Sequence, residues 1–423
     1  MRFEELNLSP NILDALDDMN FVDCTPIQEN CIPEILEGRD VLGVAQTGTG
    51  KTAAYLLPIL SLLDDGCYNK DAINCLIMSP TRELAQQIDQ VMQGFAYYLD
   101  DVSSVAVYGG NDGVRFEQET RGLNLGADVI IATPGRFLSH INMGHGDLSK
   151  VSFCVLDEAD RMLDMGFHED ILNIKKYLPA NCQMIMFSAT MPDKIGALAK
   201  KLLHNPVEIK LAVSKPAEKI YQTAYVCHEN QKIGLLKYMF ENKHPRRVII
   251  FSCSKVKVKE VTKMLKRLHV NCDEMHSDLS QADRDKVMYG FKIGSIDVLV
   301  ATDIVARGID IDNISMVINY DVPHDAEDYV HRIGRTARAD QDGNAITFVR
   351  GREIGQFMQI EKFLQHEVTK VPLPSHLGEA PEYKPLRVSS SRRSSKCFSP
   401  KCGKKPYRHK KHPNKSHSPK QKY

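Results

Sequence analysis

From residue 38 onward the chain alternates short apolar runs with longer amphipathic stretches, and this alternation restricts the fold more than any other feature. In the first half the runs are Val41–Ala45, Ile73–Met78, Val105–Tyr108, Asp128–Ala132, Phe153–Leu156 and Met184–Phe187. Helical segments separate them. Thr81–Phe95, for example, carries Leu84, Ile88, Val91, Met92 and Phe95 on one face. Strands that are apolar throughout and separated by helices predict parallel sheets covered on both faces, an α/β fold. The pattern fades around Asn205–Lys219 and resumes with Tyr221–Val226, Val248–Phe251, Cys272–Met275, Val298–Ala301, Met316–Asn319 and Ala345–Val349. At 423 residues the chain has room for two or three domains. The expected division is a segment at 1–30, a first lobe at 31–207, a linker at 208–218, a second lobe at 219–366 and a tail at 367–423.

A composition of 43% hydrophobic and 26% charged residues excludes a wholly disordered chain, a collagen and a coiled-coil rod. No apolar run approaches the roughly 20 residues of a membrane helix. The longest, Ala53–Leu63, is interrupted by Tyr55, Pro58 and Ser61. The first residues lack a basic stretch followed by an apolar one, so a cytoplasmic protein is expected. The eleven cysteines are an odd number, and several lie in apolar runs, as Cys75 and Cys154 do. That usage fits reduced thiols packed as small hydrophobes, not a disulfide framework.

The formal net charge of zero conceals an asymmetry. Residues 384–423 hold 14 Lys/Arg and no Asp or Glu, leaving 40 basic and 54 acidic side chains in the rest. A basic arm rich in Ser, Pro and His is expected to be disordered and to contact nucleic acid weakly. Cys397, Cys402, His409, His412 and His417 suggest zinc. Their spacing departs from that of structural zinc sites, and the segment lacks apolar residues to pack a small fold.

Ala45-Gln46-Thr47-Gly48-Thr49-Gly50-Lys51-Thr52 joins an apolar run to a helical segment. Apart from Ala45 in place of the first glycine, this is a phosphate-binding loop. Gly48 and Gly50 let backbone N–H groups turn toward phosphate oxygens at a helix N-terminus. Lys51 would reach the β- and γ-phosphates, and Thr52 would hold Mg²⁺. The run Phe153–Leu156 leads into Asp157-Glu158-Ala159-Asp160. Asp157 is suited to holding Mg²⁺, partly through water, and Glu158 to orienting and deprotonating the attacking water. Alone, the acidic cluster could cap a helix; beside a phosphate loop, the catalytic reading prevails. In the second half, His331-Arg332-Ile333-Gly334-Arg335-Thr336-Ala337-Arg338 packs three arginines into eight residues. Planar, permanently charged groups suit a transferring phosphate, although a solvated basic helix end has the same composition.

These motifs, in this order, resemble the DEAD-box family of ATP-dependent RNA helicases, named for the tetrapeptide at 157–160. The short basic tail is similar to that of RhlE-type members. The resemblance runs from Phe3 to about residue 365 and implies two RecA-like domains closing over ATP and single-stranded RNA. It implies that Phe3 stacks on adenine, that Thr25 and Gln28 read the base, and that Gly308 and Asp310 meet the ribose. Arg335 and Arg338 match the arginine fingers. Asp160, Ser188, Thr190 and His331 match the groups coupling hydrolysis to unwinding, with Ser188-Ala189-Thr190 reaching Asp160. The matching RNA contacts are Pro80, Thr81, Arg82, Gly109, Gly110, Thr133, Pro134, Gly135 and Arg136 in the first lobe. In the second they are Ser252, Arg284 and Thr302. Hydroxyls, glycine N–H groups and arginines recognise backbone rather than base edges. The chain departs from the family pattern at Asn20, where Gly is usual, and at Cys24, Ser277 and Ala337.

The expected activity is RNA-stimulated hydrolysis of ATP, with Mg²⁺, coupled to local separation of short RNA duplexes by a monomer. A nucleotide-gated RNA clamp with little turnover and a DNA-directed motor are the alternatives.

Overall fold

Four consecutive apolar residues with no polar face can be accommodated only where both sides of a strand are covered, and such strands lie in the interior of two sheets. The computed structural model describes residues 1–45, 48–109, 113–211, 220–241, 245–302, 314–336 and 343–384. The first sheet contains β1 (Val41–Val44), β2 (Cys75–Met78), β3 (Ser104–Val107), β4 (Val129–Ala132), β5 (Phe153–Leu156), β6 (Gln183–Ser188) and β7 (Val207–Lys210). Their order is β3-β4-β2-β5-β6-β1-β7, and every pairing is parallel. The second sheet contains β8 (Ile220–Cys227), β9 (Val248–Phe251), β10 (Cys272–Met275), β11 (Val298–Ala301), β12 (Met316–Asn319), β13 (Gly343–Arg350) and β14 (Thr369–Lys370). It runs β10-β11-β9-β12-β13-β8-β14, again all parallel.

Helices cover both faces. The helix Lys51–Asp64 buries Ala54, Tyr55, Leu56, Leu57, Ile59 and Leu60 against the first sheet, so the chain's longest apolar run is a core helix. Each such Leu or Ile contributes about 2 kcal/mol by leaving water. The helix foreseen at Thr81–Phe95 begins at Arg82, because the Thr81 hydroxyl accepts a 3.2 Å bond from the Leu84 N–H and caps the end. Among the described residues no helix is long and apolar enough to cross a membrane.

Two expected boundaries move. β7 pairs with β1, so residues 208–210 belong to the first sheet and not to a linker. β14 pairs with β8, and the Tyr383 hydroxyl donates to Glu361, so the second lobe continues past residue 366 through the first part of the expected tail. The tail's cysteines and histidines lie outside the described residues.

Parallel strands point their C-terminal ends the same way, and ligands of open α/β sheets bind along that edge. The phosphate loop follows β1, Pro80–Arg82 follow β2, Gly109 follows β3, Thr133–Arg136 follow β4, Asp157–Asp160 follow β5, and Ala189-Thr190 follow β6. The topology therefore collects on one edge residues that lie more than 140 positions apart in the chain.

Candidate active site and nucleic-acid interface

Gly50 precedes the helix Lys51–Asp64 with φ +89°, a backbone conformation that side chains resist. The Lys51 ammonium folds back to donate a 2.9 Å bond to the Ala45 carbonyl. Gln28 is buried beside this loop. Its amide N–H donates to the Gly50 carbonyl at 3.1 Å, and its oxygen accepts from the Thr25 N–H at 2.8 Å. The expected base reader is thus also a strut of the phosphate loop. Gln46 and Thr47 lie outside the described residues.

Phe3 packs into the first-lobe core with 3% of its surface exposed. In this structure the ring anchors the N-terminal segment and has no open face for stacking on a base, contrary to the sequence expectation. Asn20 adopts φ +58°, which explains how the chain dispenses with glycine there: Asn is among the few residues that enter the left-handed region readily.

Asp157 and Glu158 are buried at the end of β5. The Tyr55 hydroxyl donates a 3.0 Å bond to Asp157, and the Glu158 N–H donates a 2.9 Å bond to its other oxygen. Burial pushes both carboxyls above the usual carboxylate range, with the Lys51 ammonium the main opposing influence. The positive charge of Arg335, from the second lobe, also bears on Glu158. Glu158 itself sits at φ +50°, a strained conformation of the kind found at functional positions. Arg335 is buried, whereas Arg338, Gly308 and Asp310 lie outside the described residues.

The expected contact between the Ser188–Thr190 segment and the acidic tetrapeptide is present. The Thr190 hydroxyl donates to Asp160 at 3.2 Å, and the Ser188 hydroxyl donates to the Thr190 carbonyl at 2.6 Å. Sequence reasoning missed the neighbouring Arg161. It pairs with Asp328 of the second lobe at 2.6 Å and contacts His331. Both partners of that ion pair are about nine-tenths buried. The only sequence signal was the adjacency of Arg161 to the acidic cluster.

A groove of about 410 Å³ lies between the lobes, lined by Pro80, Thr81, Arg82, Gly109, Thr133, Gly135, Arg136 and Arg284, all foreseen as RNA contacts. Arg82 donates to Gln281 of the second lobe at 3.2 Å. Burial and the nearby Arg284, Arg136 and Arg115 guanidiniums hold Arg82 below the ordinary arginine range, so the groove concentrates positive charge. Ser277, where the family pattern has glycine, also lines it, and its carbonyl accepts a 3.2 Å bond from Arg284. Pro134 begins the helix that carries Arg136, and Thr302 follows β11. Gly110 lies outside the described residues.

Ser252 departs from expectation. It is fully buried, and its hydroxyl donates to Asp321 at 2.8 Å, so in this structure that group does not face the groove. Asp321 also pairs with the fully buried Lys232 at 3.0 Å and with Lys257 at 2.7 Å.

Comparison with known proteins agrees with this geometry. The DEAD/DEAH box helicase family matches residues 25–198, and the helicase conserved C-terminal domain matches 231–340. The ATP-dependent RNA helicase CshA of Listeria monocytogenes is 41% identical over 375 residues, covering 88% of this chain and 71% of its own. The DEAD-box ATP-dependent RNA helicase CshA of Geobacillus kaustophilus is 41% identical over 384 residues, covering 90% of this chain and 80% of its own. The ATP-dependent RNA helicase DeaD of Escherichia coli is 41% identical over 377 residues, but the match spans only 58% of its length. These relatives carry the CshA and DeaD names rather than RhlE. Among solved structures, S. cerevisiae Dbp5 bound to RNA and ADP BeF3 superposes with a TM-score of 0.78 at 31% identity, covering 88% of this chain and 95% of that one. Mss116p bound to ssRNA and AMP-PNP gives 0.79 at 28% identity, covering 89% and 81%.

Proposed function

Because the chain belongs to the DEAD-box family of ATP-dependent RNA helicases, we propose that it hydrolyses ATP to ADP and phosphate in response to RNA and uses the cycle to separate short RNA strands locally. The observation that carries this reading is the meeting of groups from two sheets. Arg161, next to the acidic tetrapeptide, pairs with Asp328 of the second lobe at 2.6 Å, and the positive charge of Arg335 from that lobe bears on Glu158.

ATP phosphates would occupy the loop Gly48–Thr52, with the Lys51 ammonium exchanging the Ala45 carbonyl for a phosphate oxygen. Glu158 orients a water whose oxygen bonds to the γ-phosphorus as the bond to the bridging oxygen breaks. The water's proton passes to the Glu158 carboxylate, whose raised proton affinity suits that role. Arg335 stabilises the charge spreading over the transferring group. Thr52 and Asp157 offer only oxygen donors, which fits Mg²⁺, and these two residues would hold it, partly through water. When bound, the ion would neutralise phosphate charge.

The arginines and hydroxyls of the inter-lobe groove would bind one RNA strand by its backbone. Because Arg335 belongs to the second lobe, hydrolysis depends on both lobes holding their ligands together. We assign the activity to a cytoplasmic monomer. The test is release of a labelled strand from a short RNA duplex. The wild-type chain should release it on ATP addition, and Glu158→Gln should retain RNA binding without multiple turnover. Equal release by both proteins would contradict the reading, and binding without release by the wild type would favour a clamp.

A further inference from the structure

Under the groove lies a buried cluster that the proposed chemistry does not use. Glu119, on the helix Gly113–Leu125, is 2% exposed, yet it contacts four polar partners. Arg136 donates to it through Nε at 2.8 Å and places Nη2 at 2.7 Å. The Tyr108 N–H donates to its other oxygen at 3.1 Å, and Arg115 stands 3.9 Å away. His140, fully buried, lies 3.0 Å from it through Nε2. A carboxylate only accepts, so His140 Nε2 carries the proton, and its Nδ1 accepts from His145 Nδ1 at 3.1 Å. Burial holds His140 below the ordinary imidazole range, consistent with a neutral donor. The Phe116 ring completes the cluster, stacked on His140 at 4.5 Å and lying beneath the Arg136 guanidinium at 4.6 Å.

Two groove segments therefore depend on one carboxylate. Tyr108 immediately precedes Gly109, and Arg136 ends the segment Thr133–Arg136. An isolated buried carboxylate is costly, and this one is compensated only while its donors stay where they are. We propose that Glu119 is a positioning residue for RNA, locking Gly109 and the Arg136 guanidinium into the register that a strand backbone requires, with His140 holding Glu119 in turn. The inference rests on the groove being the RNA site. Charge-assisted bonds are shorter and stronger than neutral ones, so replacing the carboxylate by an amide loosens Arg136 without removing it.

The test measures Kd for a labelled single-stranded oligouridine, with a non-hydrolysable ATP analogue, on the full chain. Glu119→Gln should raise Kd about 10-fold, leaving RNA-independent ATP hydrolysis unchanged. In an Arg136→Ala background the same change should cost clearly less than it does alone, because the part of its effect that acts through Arg136 is already lost. His140→Ala should weaken binding, and His140→Gln, whose amide supplies a donor near the Nε2 position, should restore most of it. That pair serves as the test if Glu119→Gln fails to fold. Wild-type affinity in Glu119→Gln, additive losses in the double variant, or no rescue by His140→Gln would overturn the inference. Wild-type affinity in Arg136→Ala would instead remove the groove as the RNA site, and the inference with it.

Discussion

The ion pair between Arg161 and Asp328 joins the two lobes beside the acidic tetrapeptide at 157–160, and replacing Asp328 by Asn should loosen their association. The N···O distance is 2.6 Å, and the two side chains are 9% and 11% exposed. Unit charges about 4 Å apart attract by about 4 kcal/mol at the effective dielectric of a partly buried site. Desolvation offsets part of that attraction. Arg161 also keeps Asp164 at 3.4 Å, on a side chain 57% exposed and so weakly effective. The net loss should be about 2 kcal/mol, or roughly 30-fold in any equilibrium that requires the lobes to meet. The RNA concentration for half-maximal ATP hydrolysis should rise by up to that factor in Asp328→Asn, and energy transfer between dyes on the two lobes should fall at fixed RNA. Hydrolysis without RNA should change little by comparison. An unchanged half-maximal RNA concentration together with unchanged energy transfer would refute the assignment of this pair to lobe association.

Three further substitutions test the same geometry. Glu158→Gln should bind ATP and RNA but hydrolyse about 10²–10⁴-fold more slowly in single-turnover kinetics, the usual worth of a positioned base. Burial raises the pKa of Glu158, so any stability from its protonated form is present below the ordinary carboxylate range and lost as pH rises through the folded value. At pH 7 Glu158→Gln should therefore melt no lower than the wild type, as a thermal scan would register. Asp321 is the opposite case. Lys232, Lys257 and Ser252 hold its carboxyl well below the usual range despite burial, so its stabilisation is present at neutral pH and fades as pH falls below the ordinary carboxylate value. Asp321→Asn leaves the fully buried Lys232 with only the more distant Glu229 and Glu353, at 3.8 and 3.9 Å, and should cost about 3 kcal/mol in urea unfolding at pH 7. In Gly50→Ala, the new Cβ would lie 2.4 Å from the Gln28 amide at φ +89°, so ATP affinity should fall while the second lobe's unfolding is unaffected, as calorimetry would resolve.

The interior strands were legible because their coding is redundant. β2, β5, β9 and β11 are four-residue apolar runs that can be stable only when covered on both faces. β7 was not legible: Val207-Glu208-Ile209-Lys210 alternates in exposure as an edge strand does, so it lacks the continuous run that marked the others. β14, two residues long, carries no pattern at all. The proposed nucleotide site was readable because phosphate chemistry confines residue types such as those of Gly48, Gly50, Lys51, Asp157 and Glu158 to short contiguous motifs. Arg161–Asp328 and Glu119–Arg136–His140 were not. Their partners are separated by the fold, and an isolated Glu or Arg on an amphipathic helix looks like a solvated face until the tertiary structure buries it. Ser252 shows the converse, a residue matched by motif whose hydroxyl the neighbouring Asp321 already engages.

The central claim is that one cleft couples ATP to RNA. It is tested most directly by the rate of ATP hydrolysis without polymer, with single-stranded RNA and with single-stranded DNA of matched sequence. The account predicts a low basal rate, strong stimulation by RNA and little by DNA. A rate indifferent to RNA would contradict it.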